Sequence, residues 1–269
     1  EFYFLIGTLS MKSDIMRLMK TNKKLTGAGL KLIAIITMTI DHIGASLLEM
    51  YPHSSEMSIS AYRNMMFIDA ILRGIGRIAF PLFIFLLIEG LNHTHNAKKY
   101  IVRLFCFALI SEVPFDLAFN NEIYYSGKNN VFFTLAIGLA VCLVIKMCSQ
   151  RIAVNPSTSD RILVGIIDIS AIVAGAFLAN LLYSDYGASG VMAIVLMYLL
   201  SQQNVYTAYV VMVCYLGLTT DFSEFYALIG LVFIYMYNGQ RGKQNKYLFY
   251  IYYPAHLLIL FLIRRYILM

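Results

Sequence analysis

The chain has 269 residues, 59% of them hydrophobic and only 13% charged, with a mean hydropathy of +0.70. A soluble core of this size cannot hide that much apolar surface, so the composition excludes an ordinary globular enzyme and points to an all-α, polytopic integral membrane helix bundle in the lipid bilayer. The net charge of +6 does not make nucleic acid an expected partner, because excess Lys and Arg in such a chain mark cytoplasmic loops.

From the start, residues 1–24 read as an N-terminal cytoplasmic segment and 25–269 as the transmembrane domain. The opening EFYFLIGTLS does not begin with Met and precedes Met11. Residues 1–10 are therefore expected to be extraneous, and no cleavable signal peptide is expected, since no basic stretch precedes the short apolar run. At about 20 apolar residues per span, helices are predicted near 30–50, 66–92, 99–120, 130–148, 162–183, 188–201, 205–219, 224–238 and 247–268, about nine spans in all. The segments at 188–201, 205–219 and 224–238 are short, which suits tilted or re-entrant helices.

Charge placement gives the orientation. Lys12, Arg17, Lys20, Lys23, Lys24 and Lys31 precede or open the first span; Lys98, Lys99 and Arg103 follow the second; Lys146, Arg151 and Arg161 follow the fourth; Arg241, Lys243 and Lys246 lie in NGQRGKQNKY. The alternate loops SDYGASG and TTDFSE are acidic or neutral. This alternation puts the N-terminus in the cytoplasm and the C-terminus on the far side, with Arg264 and Arg265 as exceptions. Cys106, Cys142, Cys148 and Cys214 show no paired spacing, so neither a disulfide framework nor a metal site is expected.

Ionisable residues inside spans are costly and signal function or helix association. Lys31 and His42 are eleven residues apart, which puts them about 20° apart in direction and about 16 Å apart in depth on one helix. Lys31 would sit at the cytoplasmic surface and His42 in mid-membrane, a spacing suited to a long ligand with an anionic head and a reactive tail. Asp41 points about 100° away from His42, so the partner of His42 is expected on another helix, with Arg73, Arg77 and His256 as candidates. His256, about ten residues from cytoplasmic Lys246, would reach the depth of His42. Arg77 with Glu112 and Arg73 with Asp116 are expected ion pairs, with Asp41 an alternative partner for Arg77. Pro81, Pro114 and Pro254 would free the carbonyls of Arg77, Ile110 and Tyr250 and break their helices around a cavity. Glu89 and His93 read as a solvated helix end.

In order and spacing, LTGAGLKLIAIITMTIDHIG, LRGIGRIAFPLFIFLLIEGLNHTHNAKKYIVRLFCFALISEVPFD, NVFFTLAIG, DYGASGV and YLFYIYYPAHLLIL resemble the TraX family, from about Leu25 to Leu260. That family comprises bacterial inner-membrane proteins named for the one that N-acetylates F-type pilin, and it looks like a branch of the transmembrane acyltransferases. Acyltransferase-3 relatives carry an arginine, ten residues, then a histidine; Lys31 and His42 match that spacing with Lys in place of Arg. The resemblance implies a multi-pass protein of the bacterial cytoplasmic membrane and an acetyltransferase with acetyl-CoA as donor. Lys31, Lys23, Lys24 and Arg77 would serve as the donor-binding set. His42 would be the general base, and Asp41 would orient His256 or balance an arginine. The acceptor, a peptide amine, sugar hydroxyl or lipid head group, could be met by SDYGASG and TTDFSE. The competing class is a proton-coupled transporter, against which stands the lack of two related halves. A structural scaffold, the third class, needs no midplane histidines. The oligomeric state is open.

Overall fold

Several helices begin where short polar side chains satisfy free backbone N–H groups. Thr26 accepts from Gly29 N at 3.3 Å and opens α1 (Gly27–Ile43), which runs on as a π-helical turn over Gly44–Leu48. Ser58 caps α2 (Ile59–Gly76), and after a turn at Arg77 and Ile78 the chain continues as α3 (Ala79–His93). Asn96 caps α4 (Ala97–Asn120), which is followed by α5 (Val131–Arg151). A reciprocal Ser157/Asp160 box starts α6 (Thr158–Leu181). Then come α7 (Gly187–Ser201), α8 (Val205–Thr219), a 3₁₀ segment (Phe222–Ile229), α9 (Gly230–Tyr235) and α10 (Lys246–Ile263), which ends in a π-helical turn over Arg264–Leu268. This computed structural model describes residues 24–50, 58–151, 157–243 and 246–268. Lys23 and residues 1–10 lie outside them.

The described residues are helical apart from turns and two isolated bridges. Gly27–Leu48, Ile59–His93, Val131–Arg151 and Thr158–Leu181 are each long and apolar enough to cross a bilayer. The chain is a helical membrane protein. The outer surface of α6 carries Ile162, Ile166, Ile169, Val173 and Phe177, all exposed, which water would not tolerate and lipid favours.

The centre of the bundle is α3. Its AFPLFIFLLI is apolar on every side, as a helix surrounded by others must be, and Leu82, Ile84, Phe85, Leu87, Ile88 and Leu91 are buried. Helices α1, α5, α7 and α8 pack around it, while α10 lies chiefly along α4 and touches α1.

Two expectations change. The predicted second span is two helices, because Pro81 cannot donate to the Arg77 carbonyl and the chain turns there. Pro114 and Pro254, by contrast, lie inside continuous helices, so only one of the three prolines interrupts its helix. The predicted eighth span is 3₁₀ before it is α-helical. There the Tyr209 hydroxyl donates to the Ala227 carbonyl at 2.8 Å, an acceptor it shares with Gly230 N.

Arg264, an exception to the charge pattern, closes one end of the bundle. It is 1% exposed and donates to Ser46 O at 2.8 Å, Ala118 O at 2.7 Å and Leu117 O at 2.9 Å. It thus ties the ends of α10, α1 and α4 through carbonyls that helix ends leave free. Arg264→Leu should lower stability by about 1–3 kcal/mol, chiefly through the abandoned Ser46 and Leu117 carbonyls, since Ala118 O also accepts from Ser46 Oγ at 3.0 Å. Thermal unfolding in detergent reads this directly, and a parental Tm would show that the clamp is dispensable.

Candidate active site

Two histidines meet inside the bundle. His42, near the end of α1, places Nδ1 2.7 Å from Nε2 of His256 on α10, with the rings 5.0 Å apart and nearly parallel. His256 Nδ1 lies 2.9 Å from the Tyr252 carbonyl, one turn earlier. A carbonyl only accepts, so this nitrogen carries the proton. With both rings neutral, His256 Nε2 is then the acceptor and His42 Nδ1–H the donor. His42 Nε2 is left as the basic nitrogen, with no hydrogen-bond partner among the described residues. Phe119 and Tyr253 meet the His42 ring edge-on at 5.2 and 6.1 Å. Tyr252 stacks on His256 and its hydroxyl reaches Thr39 Oγ1 at 2.8 Å.

Asp41 turns the other way, to α2. It pairs with Arg73, whose Nε also reaches Glu49 at 3.1 Å. The helices come this close because Gly76 faces Asp41 and Gly44 faces Asp69 and Arg73; a Cβ on Gly76 would overlap the Asp41 side chain. The expected alternatives for Asp41 resolve as balancing an arginine, and it does not bond to His256.

The expected partners of the arginines are corrected. Arg77 Nη1 donates to Glu224 Oε1 at 3.0 Å, and neither Glu112 nor Asp41 is its bonded partner. The Tyr186 hydroxyl donates to the same oxygen at 3.0 Å, and its ring stacks on Phe80. Glu112 instead accepts from Asn130 Nδ2 at 2.5 Å, and Asp116 from Tyr125 N at 2.9 Å. The reason is packing: α4 lies against α5 and α10, while α2 lies against α1 and the 3₁₀ segment.

A cavity of about 540 Å³ opens at the other end of α1. Lys31, Arg103 and Arg241 line it with Glu89, His93, Tyr237 and Tyr250. Lys31 Nζ lies 4.9 Å over the Phe249 ring and Arg103 5.8 Å over Tyr250. Glu89 and His93 close α3 on the cavity wall, with His93 exposed as expected of a solvated helix end: Glu89 accepts from the Tyr237 hydroxyl at 3.0 Å, and His93 Nδ1 donates to the Glu89 carbonyl at 2.9 Å. Backbone bonds from Gly27 N to Gln240 O and from Ala28 N to Arg241 O bring the 236–241 turn beside Lys31. Neither Lys24 nor Arg77 lines the cavity, and Lys23 lies outside the described residues. Arg103 and Arg241 were visible in the sequence only as loop charges, and Glu224 and Tyr186 only as members of outward loops.

A family model described as "TraX protein" matches residues 26–264. The chain belongs to the TraX family. Lys31, Asp41, His42 and His256 all fall inside the matched stretch; Lys23 and Lys24 precede it. The chain is also similar to "Probable fimbrial assembly protein FimC, serogroup H1" of Dichelobacter nodosus, at 29% identity over 266 residues, covering 90% of this chain and 97% of that protein. No solved structure matches this TraX-family chain.

Breaking a buried ion pair from one side typically costs about 3–5 kcal/mol. Glu224→Ala should lose about that much, and Arg77→Met together with Glu224→Gln should lose less than the two single changes combined. A double variant as unstable as the sum of the singles would mean that the two residues act independently.

Proposed function

We propose that this protein is a polytopic acetyltransferase of the bacterial cytoplasmic membrane, moving the acetyl group of cytoplasmic acetyl-CoA to an amine or hydroxyl acceptor. The observation that carries the reading is the Tyr252 carbonyl–His256–His42 chain, whose His42 is on the same helix as Lys31; with both rings neutral, that chain presents His42 Nε2 as the unprotonated nitrogen. Such a nitrogen is placed to take the proton of the attacking amine or hydroxyl. The acceptor nitrogen or oxygen forms its bond to the acetyl carbonyl carbon, the C–S bond breaks, and the proton held by His42 passes to the departing thiolate. His256 acts as the positioning residue that holds the His42 tautomer, and Asp41, anchored to Arg73, sets the rotation of α1.

The donor fits the cationic cavity. Lys31, Arg103 and Arg241 supply charge for phosphates, and the depth between Lys31 and His42, about 16 Å, suits a pantetheine arm. Lys24 adds to the field near the same helix end, whereas the proposed role of Arg77 moves from donor binding to bracing the helix turn. The name of the Dichelobacter relative favours a pilin or other envelope polypeptide as acceptor over a sugar or lipid. Buried ion pairs also suit a proton-coupled carrier, which the donor assay separates.

Purified protein should release free CoA from acetyl-CoA when envelope extract is present. His42→Ala should lower kcat by about 10²–10⁴ with donor affinity kept. Lys31→Ala should instead raise the KM for acetyl-CoA by about tenfold to a hundredfold, with a smaller effect on kcat. Full turnover in His42→Ala would transfer the base role to His256, and a parent that binds no acetyl-CoA would put the carrier first.

The proposed topology has about nine spans with the N-terminus inside. In intact cells an impermeant thiol reagent should label Ser126→Cys and spare Gln240→Cys. The opposite pattern would put the Lys31 cavity on the wrong face for a cytoplasmic donor.

A further inference from the structure

A second cavity, of about 450 Å³, adjoins the first, and Thr94 lines both. It lies where the turn between α3 and α4 meets α5. Lys98, Lys146 and His95 contribute nitrogen groups to its wall, Leu143 and Met147 form an apolar side, and no carboxylate among the described residues lines it. Lys146 Nζ donates to the Leu91 carbonyl at 3.0 Å, which holds the ammonium at the wall. The first cavity is different in character: three cations and Glu89 around aromatic rings.

A ligand filling both must carry anionic groups at two separated points, with a flat, partly apolar body beside the second. A lone inorganic phosphate would use one cavity and leave the other. A nucleotide carrying a diphosphate on one side of its ribose and a further phosphate on the other matches both. We infer that the Lys98–Lys146 cavity is the subsite for the base and ribose 3′-phosphate of the acyl donor, contiguous with a diphosphate site at Lys31, Arg103 and Arg241. This rests on the donor reading proposed above. The base lies against Leu143 and Met147, and the 3′-phosphate meets the two lysines through charge-assisted hydrogen bonds.

The full chain in nanodiscs of phosphatidylcholine is titrated calorimetrically with CoA and with 3′-dephospho-CoA. The parent should bind CoA more tightly by about tenfold or more, the worth of one or two charge-assisted contacts. Lys98→Ala with Lys146→Ala should bring that ratio close to one while leaving the affinity for 3′-dephospho-CoA unchanged. Lys98→Ala alone should narrow the ratio, and it leaves the Lys146 bond to Leu91 in place should the double variant fold poorly. A parental ratio of one, or a ratio that survives both substitutions, overturns the inference while leaving donor binding intact. If phosphatidylglycerol binds the parent but not the double variant and the CoA ratio is one, the cavity holds a lipid phosphate and the inference is again overturned. A parent that binds neither nucleotide sinks the donor reading and this subsite with it.

Discussion

The pair between Asp41 and Arg73 sets the geometry on which the candidate site depends. On an α-helix, neighbouring residues point about 100° apart. Once Asp41 is held against α2, His42 must face away from α2, and the direction it faces is that of α10. Gly44 and Gly76 permit this by letting the two helices touch where larger residues would separate them. A charge in lipid is costly, so the pair neutralises Asp41 and, at the same time, indexes the rotation of α1.

The second ion pair braces the break that follows α2. Arg73 and Arg77 lie at the end of α2, where Pro81 stops the helix and leaves backbone groups unsatisfied in an apolar setting. Glu224, from the 3₁₀ segment, and Tyr186, from the turn before α7, hold Arg77 there. The turn that carries Tyr186 is itself bound to its neighbours: Asn129 N donates to Tyr183 O at 2.9 Å, Asp185 N to Asn129 O at 2.8 Å, and Lys128 pairs with Asp185 at 3.1 Å. Polar groups near this end of the bundle therefore form chains of mutual support rather than isolated contacts.

The two ends of α1 have opposite characters. Near Lys31 the helix meets cations and aromatic rings around open volume, which suits an anionic ligand of some length. Near His42 it meets Phe119, Tyr253 and the stacked pair of His256 and Tyr252. The cationic cavity and the histidine pair are thus separated along one rigid element, an arrangement that supports the proposed transfer.

The helical membrane class, most helix boundaries and the prominence of His42 and His256 were legible in the chain. Apolar runs of bilayer length act locally, and an ionisable residue in an apolar span stands out wherever its partner is. Residue periodicity also separated Asp41 from His42, since that angle belongs to the helix alone. Ion-pair partners were not legible. Glu112 and Asp116 had suitable charge and depth for the arginines, but α4 turns them toward Asn130 and Tyr125, and Glu224 reaches Arg77 from a segment that reads only as a short span. Nor could the sequence tell that Pro81 would break its helix while Pro114 and Pro254 would not, because neighbouring helices decide whether a freed carbonyl is tolerated. Lys31, Arg103 and Arg241 come from three separate segments. What brings them to one cavity is the packing of α1, α4 and the 236–241 turn, and contacts between distant segments are set by the shape of the whole bundle rather than by any local stretch.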